Sequence, residues 1–340
     1  MSNILVTGGT GYIGSHTAIE LIKAGHEVFI IDDLSNSSID SLDRIEELSG
    51  KRPIFEQFKL RDSAKVDDFF EEYDIDAVIH FAAYKAVGES VAHPMMYYKN
   101  NLVSLANVVD AMVKNNIDNI VFSSSATVYG QPDILPATEE TPIQPAESPY
   151  GNTKQIGEQM LIDQTIATKN FKAIALRYFN PIGAHESGKN GELPLGVPNN
   201  LMPFITQTAI GLRDELKVFG NDYNTPDGTA VRDYIHVVDI ANAHVKAIER
   251  MIADKSESQF EVFNLGTGKG FSVKQVIDSF EKTTGVKLNY SIAPRRGGDV
   301  EQIYASTNKA NNILGWKAEK SLDDMTLSAW KWEKHLATLK

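Results

Sequence analysis

The chain contains no cysteine. That excludes disulfides, thiolate metal sites and a cysteine nucleophile. Its eight histidines never fall at a metal-ligand spacing such as His-x-x-x-His, so no metal site is expected. Positive charge is scarce: 33 Lys and Arg stand against 45 Asp and Glu, a formal net charge of −12. That balance argues against nucleic acid as a partner, because phosphate backbones demand clustered cations. Long apolar runs are missing too. No stretch of about 18 apolar residues occurs, so no membrane span is expected. Ile4-Leu5-Val6 follows directly on the N-terminus without a basic segment ahead of it. No signal peptide is therefore expected, and a cytoplasmic protein is. Internal repeats and low-complexity segments are likewise lacking.

What is there suits a sizeable core: 340 residues, 42 % of them hydrophobic, enough for one large or two modest domains. Over the first 180 residues short apolar runs alternate with amphipathic stretches. Strands are expected at 3–7, 27–31, 54–58, 77–81, 119–123 and 173–176, and helices at 12–24, 39–48, 64–72, 94–115 and 149–168. This alternation predicts an α/β fold, a doubly wound parallel sheet of Rossmann type. From Arg177 onward the texture changes to Gly, Pro and Asn-rich loops with short elements. A smaller mixed α/β substrate domain is expected over 181–340. Residues 1–180 form the dinucleotide-binding domain, with return segments near 236–266.

Two motifs carry chemistry. Gly8-x-x-Gly11-x-x-Gly14 lies between the first strand and the first helix. Glycines there permit a tight turn and a close approach of backbone to a pyrophosphate at the helix N-terminus. Asp32 ends the second strand, 18 residues after Gly14, where a carboxylate accepts hydrogen bonds from ribose hydroxyls and repels a 2′-phosphate. Asp33 adds a second negative charge, and no Arg follows at once. NAD is expected rather than NADP.

The second motif is Tyr150-Gly151-Asn152-Thr153-Lys154, with Ser125 upstream. Residues four apart share a helix face, so phenol and ammonium can point at one substrate. Ser148 is placed to cap that helix and Pro149 to open it. A phenol has a pKa near 10 and must fall by roughly three, about 4 kcal/mol, to act as a base near neutrality. A neighbouring ammonium and a positive nicotinamide favour the phenolate. Ser125, just past the fifth strand, stands at the carboxyl edge of the sheet and can hydrogen-bond both phenol and substrate oxygen. Redox chemistry on an alcohol carbon follows. Arg232 and Arg296, cations in the loop-rich half, suit bidentate phosphate recognition.

These residues resemble the extended short-chain dehydrogenase/reductases, and within them the UDP-glucose 4-epimerases. The resemblance runs from Ile4 to about Trp332. It is carried by His80-Phe81-Ala82-Ala83, Lys85-Ala86-Val87-Gly88-Glu89-Ser90, the run Phe122 to Gly130, and Arg177-Tyr178-Phe179-Asn180-Pro181. Pro198-Asn199-Asn200-Leu201-Met202-Pro203, the run Val231 to Val237, and Pro294-Arg295-Arg296-Gly297-Gly298-Asp299 complete it. It implies an NAD-dependent isomerase that oxidises C4 of a UDP-hexose, turns the 4-keto sugar over, and reduces it on the other face.

Tyr150 is implied as the base, Ser125 as the holder of the 4-oxygen, and Lys154 as the group that tunes the phenol and binds the nicotinamide ribose. The implied cofactor set adds Tyr12, Ile13, Asn36, Leu60, Phe81, Ala82, Lys85, Asn100, Ser123, Tyr178 and Phe179. The implied substrate set is Lys85, Ser125, Tyr150, Asn180, Asn200, Leu201, Lys217, Phe219, Arg232, Tyr234, Arg296, Asp299 and Ile303. Lys59 stands where relatives carry an adenine-binding Asp, and Lys cannot accept that hydrogen bond. Either Asp62 substitutes, or the backbone of Leu60 does. His80 and His236 read as structural. A homodimer is the family expectation, with 94–115 as a candidate interface helix. Competing readings are a UDP-N-acetylglucosamine or other UDP-sugar 4-epimerase, a sugar-nucleotide dehydratase, and a non-catalytic NAD-binding module. Ala126 and Thr127 stand where the dehydratases place an acidic pair.

Overall fold

The computed structural model describes residues 1–295 and 300–339. The first part alternates strand and helix: β1 (Asn3–Thr7), α1 (Tyr12–Lys23), β2 (Glu27–Asp32), α2 (Asp40–Ser49), β3 (Ile54–Gln57), α3 (Ser63–Glu72) and β4 (Ala77–His80). Three helices follow, α4 (Val87–Ala92), α5 (Pro94–Tyr97) and α6 (Val103–Lys114), then β5 (Asn119–Ser125), α7 (Pro149–Ala167) and β6 (Lys172–Tyr178). Beyond Tyr178 the elements shorten: β7 (Asn180–Ile182), α8 (Leu201–Ala209), β8 (Leu216–Phe219), β9 (Val231–Arg232) and β10 (Tyr234–His236). The chain ends with α9 (Val237–Ile252), β11 (Phe260–Leu265), β12 (Phe271–Ser272), α10 (Val273–Thr284), β13 (Tyr290–Ala293), β14 (Gln302–Ile303) and α11 (Leu322–Thr338).

Among the described residues, seven strands form one parallel sheet in the order β11-β6-β5-β4-β1-β2-β3. Its strands carry near-continuous apolar runs because both faces are covered. Side chains alternate between those faces. Ile4 and Val6 of β1 join Ile30, Ile79 and Val121 under α1 and α9. Leu5 joins Phe29, Val78 and Ile120 under α3, α6 and α7. Each fully buried side chain of this kind contributes about 1.5–3 kcal/mol. The strand order reverses between β1 and β4, and the crevice at their carboxyl ends is where such sheets bind ligands. A smaller core lies apart, where Met202, Ile205, Val218, Ile277, Phe280 and Met325 pack together. α9 and β11 return to the large sheet, β11 pairing with β6.

Two departures from the sequence expectation bear on the site. The helix expected over 94–115 is interrupted by a π turn at Tyr98–Leu102 between α5 and α6. Its cause is Asn101, whose side chain accepts from Tyr84 N (2.9 Å) and donates to Tyr84 O (3.1 Å) and Thr153 Oγ1 (3.0 Å). In addition, β5 and β6 run two residues further than their apolar stretches, with Ser124 beside Arg177 and Ser125 beside Tyr178. Polar residues continue these strands because their side chains find buried partners.

Candidate active site

The turn from β1 to α1 is built for close approach. Gly8 has φ of +71°, and a Cβ there would lie 2.9 Å from Ala82 N. A Cβ on Gly14 would lie 2.3 Å from the carbonyl oxygen of Gly8. No side chain caps α1, and its first turn has no carboxylate. Its N-terminal amides and dipole are therefore available to an anion. Gly8, Gly11, Tyr12, Ile13 and Gly14 line a cavity of about 680 Å³ that runs along the carboxyl edge of the sheet. Tyr12 Oη donates to Gly183 O at 2.6 Å, tying this turn to the loop beyond β7.

Asp32 ends β2 at the cavity wall. Its carboxylate accepts from Thr10 N (3.2 Å), Leu34 N (2.9 Å) and Ser37 Oγ (3.2 Å), which fixes its orientation. Asp33 accepts from Ser35 N at 2.9 Å, and Asn36 completes the wall with Ser37 and Ser38. Arg44, which the sequence reading did not single out, reaches the same wall from α2. It donates to Ser41 Oγ (2.7 Å) and Asn190 Oδ1 (3.4 Å). Sequence spacing hides it, because its partner Asn190 lies 146 residues further along the chain. Of the two expected stand-ins for adenine recognition, Asp62 is committed elsewhere: it caps α3, accepting from Lys65 N at 3.4 Å. Phe58, Lys59 and buried Leu60 line the cavity instead.

The cradle that a Cβ would fill, the uncapped helix start and the oriented Asp32 together fit a dinucleotide. Phe81, Ala82, Lys85, Asn100, Ser123, Tyr178 and Phe179 lie on the same wall. Among the described residues, no group of three or more His, Asp or Glu is placed to hold a metal ion.

The reacting groups meet where β5 ends. Ser148 caps α7, its Oγ accepting from Gly151 N at 3.1 Å, and Pro149 fills the first helical turn. This fixes Tyr150 and Lys154 one turn apart, both buried, with Lys154 Nζ 5.8 Å from the Tyr150 ring centroid. The Ser125 hydroxyl is the polar neighbour that favours the Tyr150 phenolate. Lys154 Nζ donates to Ser123 O at 2.7 Å. Burial pushes the Tyr150 phenol up to about 12, opposed by the Ser125 hydroxyl. Burial pulls the Lys154 ammonium down to about 8, opposed by the Glu158 carboxylate. The lowered phenol expected from the sequence is thus not supplied by the chain alone, because desolvation outweighs the Ser125 hydroxyl.

The expected substrate residues divide. Lys85 and Asn200 both reach the cavity, and both bind Glu192 Oε1, at 3.2 Å and 2.6 Å. Glu192 sits in a loop without periodicity, so nothing in the sequence marked it. Asn180 opens β7, its N–H donating to Asp233 O at 2.9 Å, and Leu201 opens α8 beside Asn200. Arg232 lies on β9 in register with Ile303 of β14, and Phe219 ends β8. Ile303 is buried in one apolar cluster with Ala126 and Phe179. Lys217 and Tyr234 lie on β8 and β10. Lys217 alternates outward on β8, ion-paired with Glu215 and bonded to Ser291 Oγ at 2.8 Å. Tyr234 is buried in the smaller core. Like Asn180, Leu201, Phe219, Arg232 and Ile303, neither lines the cavity at the sheet edge. Arg296 and Asp299 lie outside the described residues.

A family model described as GDP-mannose 4,6 dehydratase matches residues 5–328. The UDP-glucose 4-epimerase of Bacillus subtilis is 50 % identical over 330 residues, 97 % of this chain and 96 % of that protein. The crystal structure of UDP-glucose 4-epimerase from Bifidobacterium longum, in complex with NAD+ and UDP, superposes with a TM-score of 0.94 at 48 % identity, covering 98 % of each chain. That of UDP-glucose-4-epimerase from Stenotrophomonas maltophila, with NAD and formylated UDP-arabinopyranose, gives 0.97 at 45 % identity over 100 % of each chain. With such identity sustained from end to end, and with the cradle and the Ser125–Tyr150–Lys154 cluster in place, the chain belongs to the UDP-glucose 4-epimerase family of extended short-chain dehydrogenase/reductases.

Proposed function

We propose that this chain interconverts UDP-glucose and UDP-galactose with NAD held throughout the turnover. One observation carries the reading: Tyr150, with Ser125 on the same cavity wall and Lys154 one helical turn away, opens on the cavity that contains the glycine cradle. Gly8, Gly11 and Gly14 would hold the pyrophosphate, and Asp32 the adenosine ribose. When bound, NAD supplies the acceptor for the C4 hydride and returns that hydride within the same turnover.

The chain's own part is proton handling and orientation. Tyr150 takes the proton from the 4-hydroxyl as the C4–H bond breaks, and gives it back to the same oxygen when the bond reforms. Ser125 bridges the phenol and the 4-oxygen, donating to one and accepting from the other, and so fixes their separation. Lys154 favours the phenolate by charge. Asn180, Asn200, Leu201, Phe219 and Arg232, with Arg296 and Asp299, grip the UDP part while the 4-keto sugar turns over. Ala126 and Thr127, in place of an acidic pair, leave no acid–base couple for elimination of water, which disfavours the dehydratase reading.

Residues 1–180 with 236–266 form the cofactor half of this proposal, and the rest mainly the substrate half. A homodimer is part of it, supported by the exposed apolar side chains Met95, Met96 and Val103 around α5 and α6 and Ile166 on α7. A cytoplasmic location rests on composition alone. The test is conversion of UDP-galactose to UDP-glucose by purified protein with no NAD added. Conversion without net nucleotide reduction is expected; its absence, with NAD confirmed in the protein, would reject the function.

A further inference from the structure

β5 ends in three consecutive serines that meet α7 at successive turns. Ser125 lines the cavity with Tyr150, Ser123 O accepts from Lys154 Nζ at 2.7 Å, and Ser124 Oγ donates to Glu158 Oε1 at 2.5 Å. Positions 150, 154 and 158 share one helix face. The third rung is locked from the neighbouring strand. Arg177 on β6, in register with Ser124, donates to Glu158 through Nε (2.9 Å) and Nη2 (2.6 Å). Both side chains are buried, at 5 % and 3 % exposure. Arg177 Nη1 also reaches Tyr129 Oη at 3.1 Å, and that hydroxyl donates to Asn264 Oδ1 of β11 at 2.6 Å. Apolar residues of similar volume stabilise a fold as well as a buried ion pair does. What a bidentate fork adds is fixed geometry.

We propose that Glu158 and Arg177 are positioning residues for the epimerase reaction, the Ser124–Glu158–Arg177 rung setting the rotation of α7 that brings Tyr150 and Lys154 to Ser125. This rests on the reading of those three as the reacting groups. Neither Glu158 nor Arg177 lines the cavity, so their effect travels through the helix. An electrostatic part accompanies the geometric one. The titratable and charged groups around Lys154 are Tyr150 and Glu158 on its own helix, His80 at the end of β4, Tyr178 on β6, and Arg177 behind Glu158. Among them Glu158 favours the ammonium and His80 does not. Loss of the carboxylate therefore makes Lys154 deprotonate at lower pH.

Three variants test the proposal: Glu158→Gln, Glu158→Gln with Arg177→Met, and Ser124→Ala. The double variant removes the cation that the first leaves buried without its partner. In Glu158→Gln, kcat falls about ten-fold or more while KM for UDP-galactose stays within about two-fold and NAD content per chain is unchanged. The alkaline limb of the kcat–pH profile also moves to lower pH. The double variant shares the kcat loss. Ser124→Ala keeps both charges, so its kcat falls several-fold with the alkaline limb in place. Wild-type kcat and limb in folded Glu158→Gln overturn the proposal. If that variant does not fold, wild-type kcat in the double variant or, failing that, in Ser124→Ala overturns it. Absence of turnover by the unaltered protein overturns the function itself, and this proposal with it.

Discussion

Burial pushes the Tyr150 phenol up to about 12 and the Lys154 ammonium down to about 8, so both groups sit where their charged forms are disfavoured. In the proposed mechanism the phenolate forms only when positive charge enters beside it. Tyr150→Phe keeps ring and packing but removes the proton acceptor. Turnover of UDP-galactose should fall by about a hundred-fold or more, with NAD still bound; a near-normal rate would remove Tyr150 from its role. Ile303 bears on substrate breadth. It shares a buried apolar cluster with Phe179 and with Ala126, the residue after Ser125 in the chain, and its β-branch makes it stiff. If it gates the sugar 2-position, Ile303→Tyr should abolish turnover of UDP-N-acetylglucosamine and spare UDP-galactose, and Ile303→Ala should raise the N-acetyl rate. An unchanged ratio of the two rates in both variants would exclude the gate. Tyr150, Lys154 and Asp32 were legible because local spacing places them. Arg44, Glu158 and Glu192 were not, because contacts over 146, 19 and 107 residues position them.

At the scale of elements, the alternating first half is readable because each helix and strand carries its own periodicity. The π turn at Tyr98–Leu102 is not, because its cause lies in Tyr84 and Thr153. Asn101 satisfies the N–H and C=O of Tyr84 and the hydroxyl of Thr153 at once, with 6 % of its surface exposed. Asn101→Ala strands those groups. The expected cost is about 2–3 kcal/mol, the penalty for leaving buried polar groups unpaired. It should appear as a lower midpoint in thermal or urea unfolding. The turn also sets Asn100 at the cavity wall, so NAD should leave the variant faster. A variant with unchanged midpoint and unchanged NAD retention would mean that the turn is held by its own backbone. The short strands β7 to β10 were blurred in the sequence for a related reason. With two to four residues each, they are defined by pairing partners rather than by pattern.

For the whole molecule, four of the eight histidines have a collective effect. Burial holds His16 and His244 down at about 4, and His80 and His236 at about 3; Lys154 adds to the effect at His80 and His16 at His236. Geometry agrees for two of them. His16 Nδ1 lies 2.7 Å from Tyr12 O and His244 Nδ1 lies 2.8 Å from Ile240 O, so Nδ1 carries the proton in each. Their Nε2 atoms are buried with no hydrogen-bond partner among the described residues, a place for a lone pair and not for a second proton. In the unfolded chain the same imidazoles titrate near 6.5. Their folded pKa values are depressed, so the stabilisation is fully present above about 6.5 and is lost as pH falls toward the folded values. Between pH 7.5 and 5.5 each contributes a loss of about 1 kcal/mol. The thermal midpoint should drop by several degrees over that range. Unfolding at pH 5.5 should take up about three or more protons, read from the dependence of calorimetric enthalpy on buffer ionisation heat. Carboxylates alone would concentrate the loss below about pH 5. An unfolding transition at pH 5.5 with no proton uptake would therefore show that these histidines are already charged in the fold.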